Sequence, residues 1–134
     1  MDHATDMIVQ VDAPSVKEAF VQAGIAVVDT TIDVSNVKVI ESSKVDASGS
    51  DMRHLLYSWL EEIIYKMITD GFAISRLEIT ELNRDDYTIK GIVYGEPIDL
   101  KRHGFKVEIK APTFYDMRID ESQNGTSMQF LLDL

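Results

Sequence analysis

Two stretches of the chain repeat apolar residues at the three- and four-residue steps of an α-helix. The first covers residues 13–31, where Ser15 and Glu18 have the spacing of a capping box and Pro14 lies outside the helix. A helix with a single apolar side is expected to pack that side against the core. This side carries Val16, Ala19, Phe20, Ala23 and Val27.

The second stretch has the clearest periodicity in the chain and predicts a helix of about five turns. Ser50 or Asp51 can cap its start, and Gly71 is placed to end it. Trp59 lies within the apolar stripe, so we interpret it as a core residue and not as a cofactor-stacking one. The stripe consists of Met52, Leu55, Leu56, Trp59, Leu60, Ile63, Ile64, Met67 and Ile68.

The remaining apolar runs have the alternation or the turn-bounded length of β-strands. Two lie early, at residues 8–12 and 37–45, and the other five follow Gly71, at residues 73–82, 87–96, 105–111, 114–119 and 127–134. The turn-forming sequences NRDD and SQNGT separate strands that can pair as hairpins. We therefore predict a single α+β domain over residues 1–134, in the order β-α-β-α-β-β-β-β-β. It would be a two-layer structure, with two helices on one face of a mostly antiparallel sheet.

Charge and cysteine content exclude several functional classes. The formal net charge is −10, which disfavours direct binding to the backbone of RNA or DNA. An acidic balance indicates binding to metal ions, binding to a basic protein surface, or a charge that serves solubility alone. There are no cysteines, which excludes a disulfide scaffold and a thiol nucleophile and fits a reducing cytoplasm. No apolar run reaches the length of a membrane span, so no membrane partner is expected.

Common catalytic motifs are missing from the sequence. It has no glycine-rich phosphate loop, no HExxH zinc motif and no GxSxG nucleophile elbow. His54 lies on the side of the long helix away from its apolar stripe, which indicates a surface residue. His103 lies in the loop sequence LKRHG and could bind a ligand, although a lone loop histidine usually has no special role.

Two aspartates at opposite ends of the chain remain as candidate metal ligands. Asp6 precedes the first strand and Asp133 ends the last one. If these strands are neighbours, both carboxylates converge at one edge, where the terminal carboxylate of Leu134 adds a third anionic group. Oxygen ligands without cysteine or a histidine pair suit Ca²⁺ or Mg²⁺. On this pattern alone, two solvated aspartates with no ligand remain the simpler alternative.

Five blocks, in order, resemble the archease family over essentially the whole chain. They are DHATD at residues 2–6, VKEAFVQAGIAVVD at 16–29, GSDMRHLLYSWLEEIIYKM at 49–67, YGEP with RHGFKVEIKAPTFYDMRI at 94–119, and FLLDL at 130–134. The chain departs from the family pattern in three places. HATD inverts the usual middle pair, Lys106 and Val107 replace a Gly-Thr pair, and Tyr115 stands where many members have histidine.

The resemblance implies a protein that is not an enzyme. It would activate the GTP-dependent tRNA-splicing RNA ligase of the RtcB family, promoting guanylylation of the ligase's active-site histidine and its multiple turnover. A metal, usually calcium, would be bound by Asp6, Asp133 and Leu134, and RNA would be met only through the ligase. His3, His103 and Lys110 are further candidates, either to orient the metal ligands or to face the partner.

Three alternatives to ligase activation remain open. The first is a metal-dependent phosphodiesterase or other hydrolase using Asp6 and Asp133, for which His3 is the only obvious general base. The second is a general chaperone or modulator of RNA- or DNA-processing proteins. The third is a plain structural module.

Overall fold

The computed structural model describes residues 6–134 and confirms the α+β class. Its described part contains two α-helices, six β-strands and a short 3₁₀ turn at Val34–Asn36. The helices are α1 (Val16–Thr31) and α2 (Met52–Ile68). The strands are β1 (Asp6–Ala13), β2 (Glu41–Ser48), β3 (Phe72–Asn83), β4 (Thr88–Pro97), β5 (Ala111–Ser122) and β6 (Gly125–Asp133).

The strands form two antiparallel three-stranded sheets and not the single sheet that we predicted. One, which we name the terminal sheet, has the order β1-β6-β5, and the other, the central sheet, has the order β2-β4-β3. Both helices contact strands of both sheets, so the helices join the two sheets into one structure. Neither helix is long and apolar enough to cross a bilayer.

Two predicted strand segments differ from the structure. Residues 105–110 form no strand, because their backbone groups bond elsewhere: the Lys106 N–H donates to the Thr31 carbonyl and the Lys110 N–H to the Asp133 carbonyl, each at 2.8 Å. The second strand begins only at Glu41, since the preceding Lys38 N–H donates to the side chain of Glu96 at 2.8 Å. The prediction of seven strands is therefore corrected to six within residues 6–134.

Both predicted helix caps are present. The Ser15 hydroxyl accepts the Glu18 N–H at 3.2 Å and starts α1. The Asp51 carboxylate accepts the His54 N–H at 2.8 Å and starts α2. Gly71 has a φ of 65° just after α2, the left-handed conformation that glycine adopts most readily. Local sequence signals therefore fix where the helices begin and where the chain leaves α2.

The core lies between the helices and the inner faces of the sheets. Trp59 is fully buried there, as predicted, and its indole N–H donates to the Phe20 carbonyl at 2.8 Å. This bond links α2 to α1 and satisfies the only polar atom of the indole. The prediction that Trp59 is a core residue is confirmed.

Candidate functional site: the edge between the first and last strands

The terminal strands pair directly, which is the condition that the sequence analysis set for Asp6 and Asp133 to meet. β1 and β6 are antiparallel neighbours, and their register places Asp6 opposite Asp133. Directly opposed residues of an antiparallel pair project from the same face with their Cβ atoms about 4.5–5.5 Å apart. Asp6 is exposed and Asp133 is half-buried. The fold therefore brings two carboxylates from opposite ends of the chain to one place.

Core packing on the opposite face of the sheet fixes this register. Val9 and Val11 of β1 and Phe130 of β6 are buried on the inner face, and of the outward-facing residues of these two strands only Leu131 is buried as well. A slip by one residue would bury both aspartates and expose the apolar set. The juxtaposition of Asp6 and Asp133 is therefore a consequence of how the core residues alternate.

Lys110 and Leu134 lie beside this pair. The Lys110 N–H donates to the Asp133 carbonyl at 2.8 Å, and the Lys110 side chain is exposed. Leu134 directly follows Asp133 and packs against the core with part of its surface free. The segment 105–110 thus places the backbone of Lys110 directly beside Asp133. His3 lies outside the residues that the structure describes.

The donor set fits a hard cation but is incomplete. Within residues 6–134, no three side chains of His, Cys, Asp or Glu are grouped closely enough to hold a metal ion. Asp6 and Asp133 supply two side-chain carboxylates, and Leu134 has no side-chain oxygen to add to them. Ca²⁺ takes about six to eight oxygens. A cation at this edge would therefore need further oxygens from water or from a partner.

His103 has a structural environment that the sequence did not reveal. It is fully buried, its Nδ1 accepts the Asp99 N–H at 2.9 Å, and its Nε2 lies 2.9 Å from a carboxylate oxygen of Glu96. Because Nδ1 accepts a hydrogen bond, Nε2 carries the proton and donates to Glu96. A side chain held in this way cannot face a partner, which corrects that assignment for His103.

Glu96 is the centre of this buried cluster. Its carboxylate accepts bonds from the Arg102 guanidinium, the Lys38 N–H and His103. These bonds, the one from Arg102 most of all, lower the pKa of Glu96 to about 2. The cluster ties the end of β4 to the loop after it and to the segment before β2. The cluster lies at the end of β4 and in the loop that follows, whereas Asp6 and Asp133 lie on the terminal sheet.

A large bulge interrupts β5 next to the acidic edge. Its register with β6 shifts between Thr113 and Arg118, and Asp116 within the bulge has a φ of 56°. Phe114 stacks on Tyr57 of α2 with ring centroids 4.4 Å apart, which anchors the bulge to the helix layer. Tyr115 is left 71% exposed. The sequence does not predict this bulge, because residues 114–119 have the pattern of an ordinary strand.

Comparison of the sequence with known proteins finds the same family each time. The model of the archease protein family matches residues 1–134. Protein archease of Methanopyrus kandleri is 31% identical over 135 residues, covering 100% of this chain and 96% of the relative. Protein archease of Pyrobaculum islandicum is 32% identical over 135 residues, covering 99% of this chain and 92% of the relative.

Solved structures agree with this assignment. The solution structure of Methanobacterium thermoautotrophicum protein 1598 superposes with a TM-score of 0.79 at 26% identity, covering 100% of this chain and 96% of that one. The crystal structure of a Thermotoga maritima archease, described as a possible chaperone, has a TM-score of 0.69 at 14% identity, with coverage of 100% and 94%. The second likeness concerns the fold alone. From the full-length family match and these relatives, the chain belongs to the archease family.

Proposed function

We propose that this protein activates the GTP-dependent tRNA-splicing RNA ligase of the RtcB family by presenting a cation-binding acidic edge to the ligase. In this proposal it promotes guanylylation of the ligase's histidine and supplies no catalytic residue of its own. The observation that supports it most is the cross-strand pairing of Asp6 with Asp133. The proposal assigns the activity to the cytoplasm.

The residues at the edge suit a shared cation site. Asp6 and Asp133 would hold Ca²⁺, or another hard divalent cation, together with an oxygen of Leu134. A bound divalent cation supplies positive charge that stabilises phosphate oxygens during nucleotidyl transfer. Because this donor set leaves coordination positions for other ligands, groups of the ligase or of its nucleotide can complete it.

Lys110 adds a second cationic element to the proposal. Its exposed side chain starts from a backbone that is fixed by the bond to the Asp133 carbonyl. Lysine is a flexible, strongly hydrated charge that can contact a phosphate without a fixed geometry. We assign it to a partner-side phosphate near the acidic edge.

The charge of the whole chain supports a protein partner over direct RNA binding. Phosphate neutralisation requires a basic surface, and this chain carries a formal net charge of −10. An RNA-handling ligase is expected to present basic surface, to which an acidic activator is complementary. The proposal therefore has RNA reach this protein only through the ligase.

The test replaces one carboxylate at a time and measures two quantities. Asp6→Ala and Asp133→Ala should each weaken Ca²⁺ binding by at least about tenfold in calorimetry, because few protein oxygens hold the ion. Both should lose stimulation of single-turnover ligase guanylylation while the ligase keeps its slow basal rate. Circular dichroism should stay unchanged, since neither side chain packs in the core.

Asp46→Ala is the matched control. Asp46 is exposed on β2 of the central sheet, so its loss changes the net charge equally without touching the acidic edge. Full stimulation by a folded Asp6→Ala, Asp133→Ala double variant would exclude the metal mechanism. Phosphodiesterase activity without ligase would favour the hydrolase alternative, and broad suppression of aggregation without ligase stimulation would favour a general chaperone.

A further inference from the structure

The two sheets differ in the charge of their outward faces. On the terminal sheet, the register places four aspartates and one arginine on this face: Asp6, Asp12, Asp120, Asp133 and Arg118. On the central sheet, the outward face carries three basic and three acidic residues: Lys44, Arg76, Lys90, Asp46, Glu78 and Glu81. Of the two outward faces, only that of the terminal sheet, which contains Asp6 and Asp133, therefore has more acidic than basic residues among those named.

The same face also exposes large apolar side chains. Ile8 is 63% exposed, two residues along β1 from Asp6, or about 7 Å. Its cross-strand partner Leu131, which is itself buried at 6% exposure, lies between it and Thr113 of β5. Tyr115, which is 71% exposed, follows Thr113 by two residues in the bulge of β5, and its backbone N–H donates to the Thr113 hydroxyl at 3.0 Å.

The helices do not cover this face. They pack against the buried residues on the inner side of the terminal sheet, where Val9, Val11 and Phe130 lie. Among the large exposed apolar residues of the described part of the chain, Ile8 on β1 and Tyr115 in the bulge of β5 are the two that belong to the terminal sheet. An apolar centre with a charged rim is the usual composition of a protein–protein interface.

We propose that the outward face of the terminal sheet is the docking surface for the ligase. Ile8 and Tyr115 are the apolar anchors beside the acidic edge, and Asp12 and Asp120 attract the basic surface of the partner. This inference rests on the proposed function and assigns its partner to one face. The excess of aspartates selects a basic protein over a second, equally acidic copy of this chain.

The first test separates docking from cation binding. Ile8→Ser and Tyr115→Ala should each weaken binding to the purified ligase by about tenfold or more, mainly through faster dissociation. Calcium binding by the free protein should not change, because neither side chain offers a carboxylate. Ligase guanylylation should recover when the concentration of the variant is raised, which distinguishes weak docking from a damaged metal site.

Each anchor has a matched control elsewhere on the molecule. Ile40→Ser removes an isoleucine of 66% exposure next to β2, and Tyr65→Ala removes a tyrosine of 51% exposure on α2. Both controls should bind the ligase as tightly as the wild type. Thermal unfolding of each variant and its control should shift by a similar small amount, which excludes misfolding as the cause.

A second test addresses the charges. Asp12→Asn with Asp120→Asn should lower the association rate several-fold at low salt and flatten its dependence on ionic strength. Asp46→Asn with Glu78→Gln, on the central sheet, should have a smaller effect for the same change in net charge.

The outcomes separate the two proposals. If the wild-type protein binds and stimulates the ligase while the Ile8 and Tyr115 variants bind as tightly as their controls, the docking face is wrong and the proposed function stands. If the wild type neither binds nor stimulates the ligase, both fail. A change in oligomeric state of Ile8→Ser with unchanged ligase binding would reassign the face to self-association and overturn the inference.

Discussion

Truncation of Trp59 should be among the most destabilising single changes in this domain. The indole is fully buried between α1 and the central sheet, and it donates to the Phe20 carbonyl at 2.8 Å. Gly91 of β4 allows the ring to touch the sheet: a Cβ there would lie 2.9 Å from Cη2 of the indole. Because the surroundings fit the ring this closely, Trp59→Ala should leave a cavity that they cannot fill.

Large-to-small truncations of buried aromatic residues cost about 3–5 kcal/mol, a range that includes the loss of such a hydrogen bond. A domain of this size is stable by about 5–15 kcal/mol, so the variant should fold but with much of its stability gone. The midpoint of thermal unfolding should fall by about 10–20 °C. Trp59→Phe, which keeps most of the volume, should lose less than half as much.

Urea unfolding followed by circular dichroism measures this loss. Ligase stimulation, assayed below the unfolding transition, should fall only as far as the folded fraction does. A loss under about 1 kcal/mol would show that the core tolerates the cavity and that the packing argument is wrong. A stable Trp59→Ala protein that cannot stimulate the ligase would show that the residue has a functional role.

Two further predictions concern the central sheet. The folded state lowers the pKa of Glu96 from its ordinary 4.5 to about 2, so the stability that its charge contributes is present above pH 4.5 and is lost as pH falls towards 2. Glu96→Gln should therefore be less stable than the wild type in urea at pH 7, and the difference should narrow at pH 3; an equal difference at both pH values would contradict this. Gly95→Ala should unfold the protein or lower its midpoint strongly, because the added Cβ would overlap the Ala73 carbonyl oxygen of the neighbouring strand. An unchanged midpoint would mean that β3 and β4 can separate there at no cost.

The elements that the sequence predicted correctly are those determined locally. The stripe of α2 and the Asp51 cap need no information beyond a few turns of helix. The meeting of Asp6 with Asp133 was also predictable, because alternation places each on a definite face and only the strand pairing had to be assumed. The stripe of α2 and the face on which each aspartate lies depend on periodicity, which a single sequence records directly.

The features that sequence missed depend on long-range hydrogen bonding. Residues 105–110 alternate like a strand, yet their N–H groups at Lys106 and Lys110 bond to Thr31 and Asp133, far away in sequence. The loop that carries His103 is also held from far away in sequence, since the Asp33 N–H donates to the His103 carbonyl at 2.8 Å. A strand pattern states that a segment can pair, but the available partners are set by the assembled fold.

The position of the acidic edge follows from the same long-range pairing. β6 lies between β1 and β5 in the terminal sheet. Asp133 at its end is therefore opposite Asp6 on one side and hydrogen-bonded to the backbone of Lys110 on the other. Neither Asp6 nor Lys110 is near Asp133 in sequence. The pairing of β1 with β6, which brings Asp6 to Asp133, is stabilised by the apolar residues buried on the inner face of the sheet. The bulge in β5 then places Tyr115 near the outward face without disturbing the pairing of Ala111 with Asp133. The terminal sheet thus holds both aspartates, the backbone of Lys110 and the proposed docking anchors, and a core substitution that shifts the β1–β6 register would separate the two aspartates.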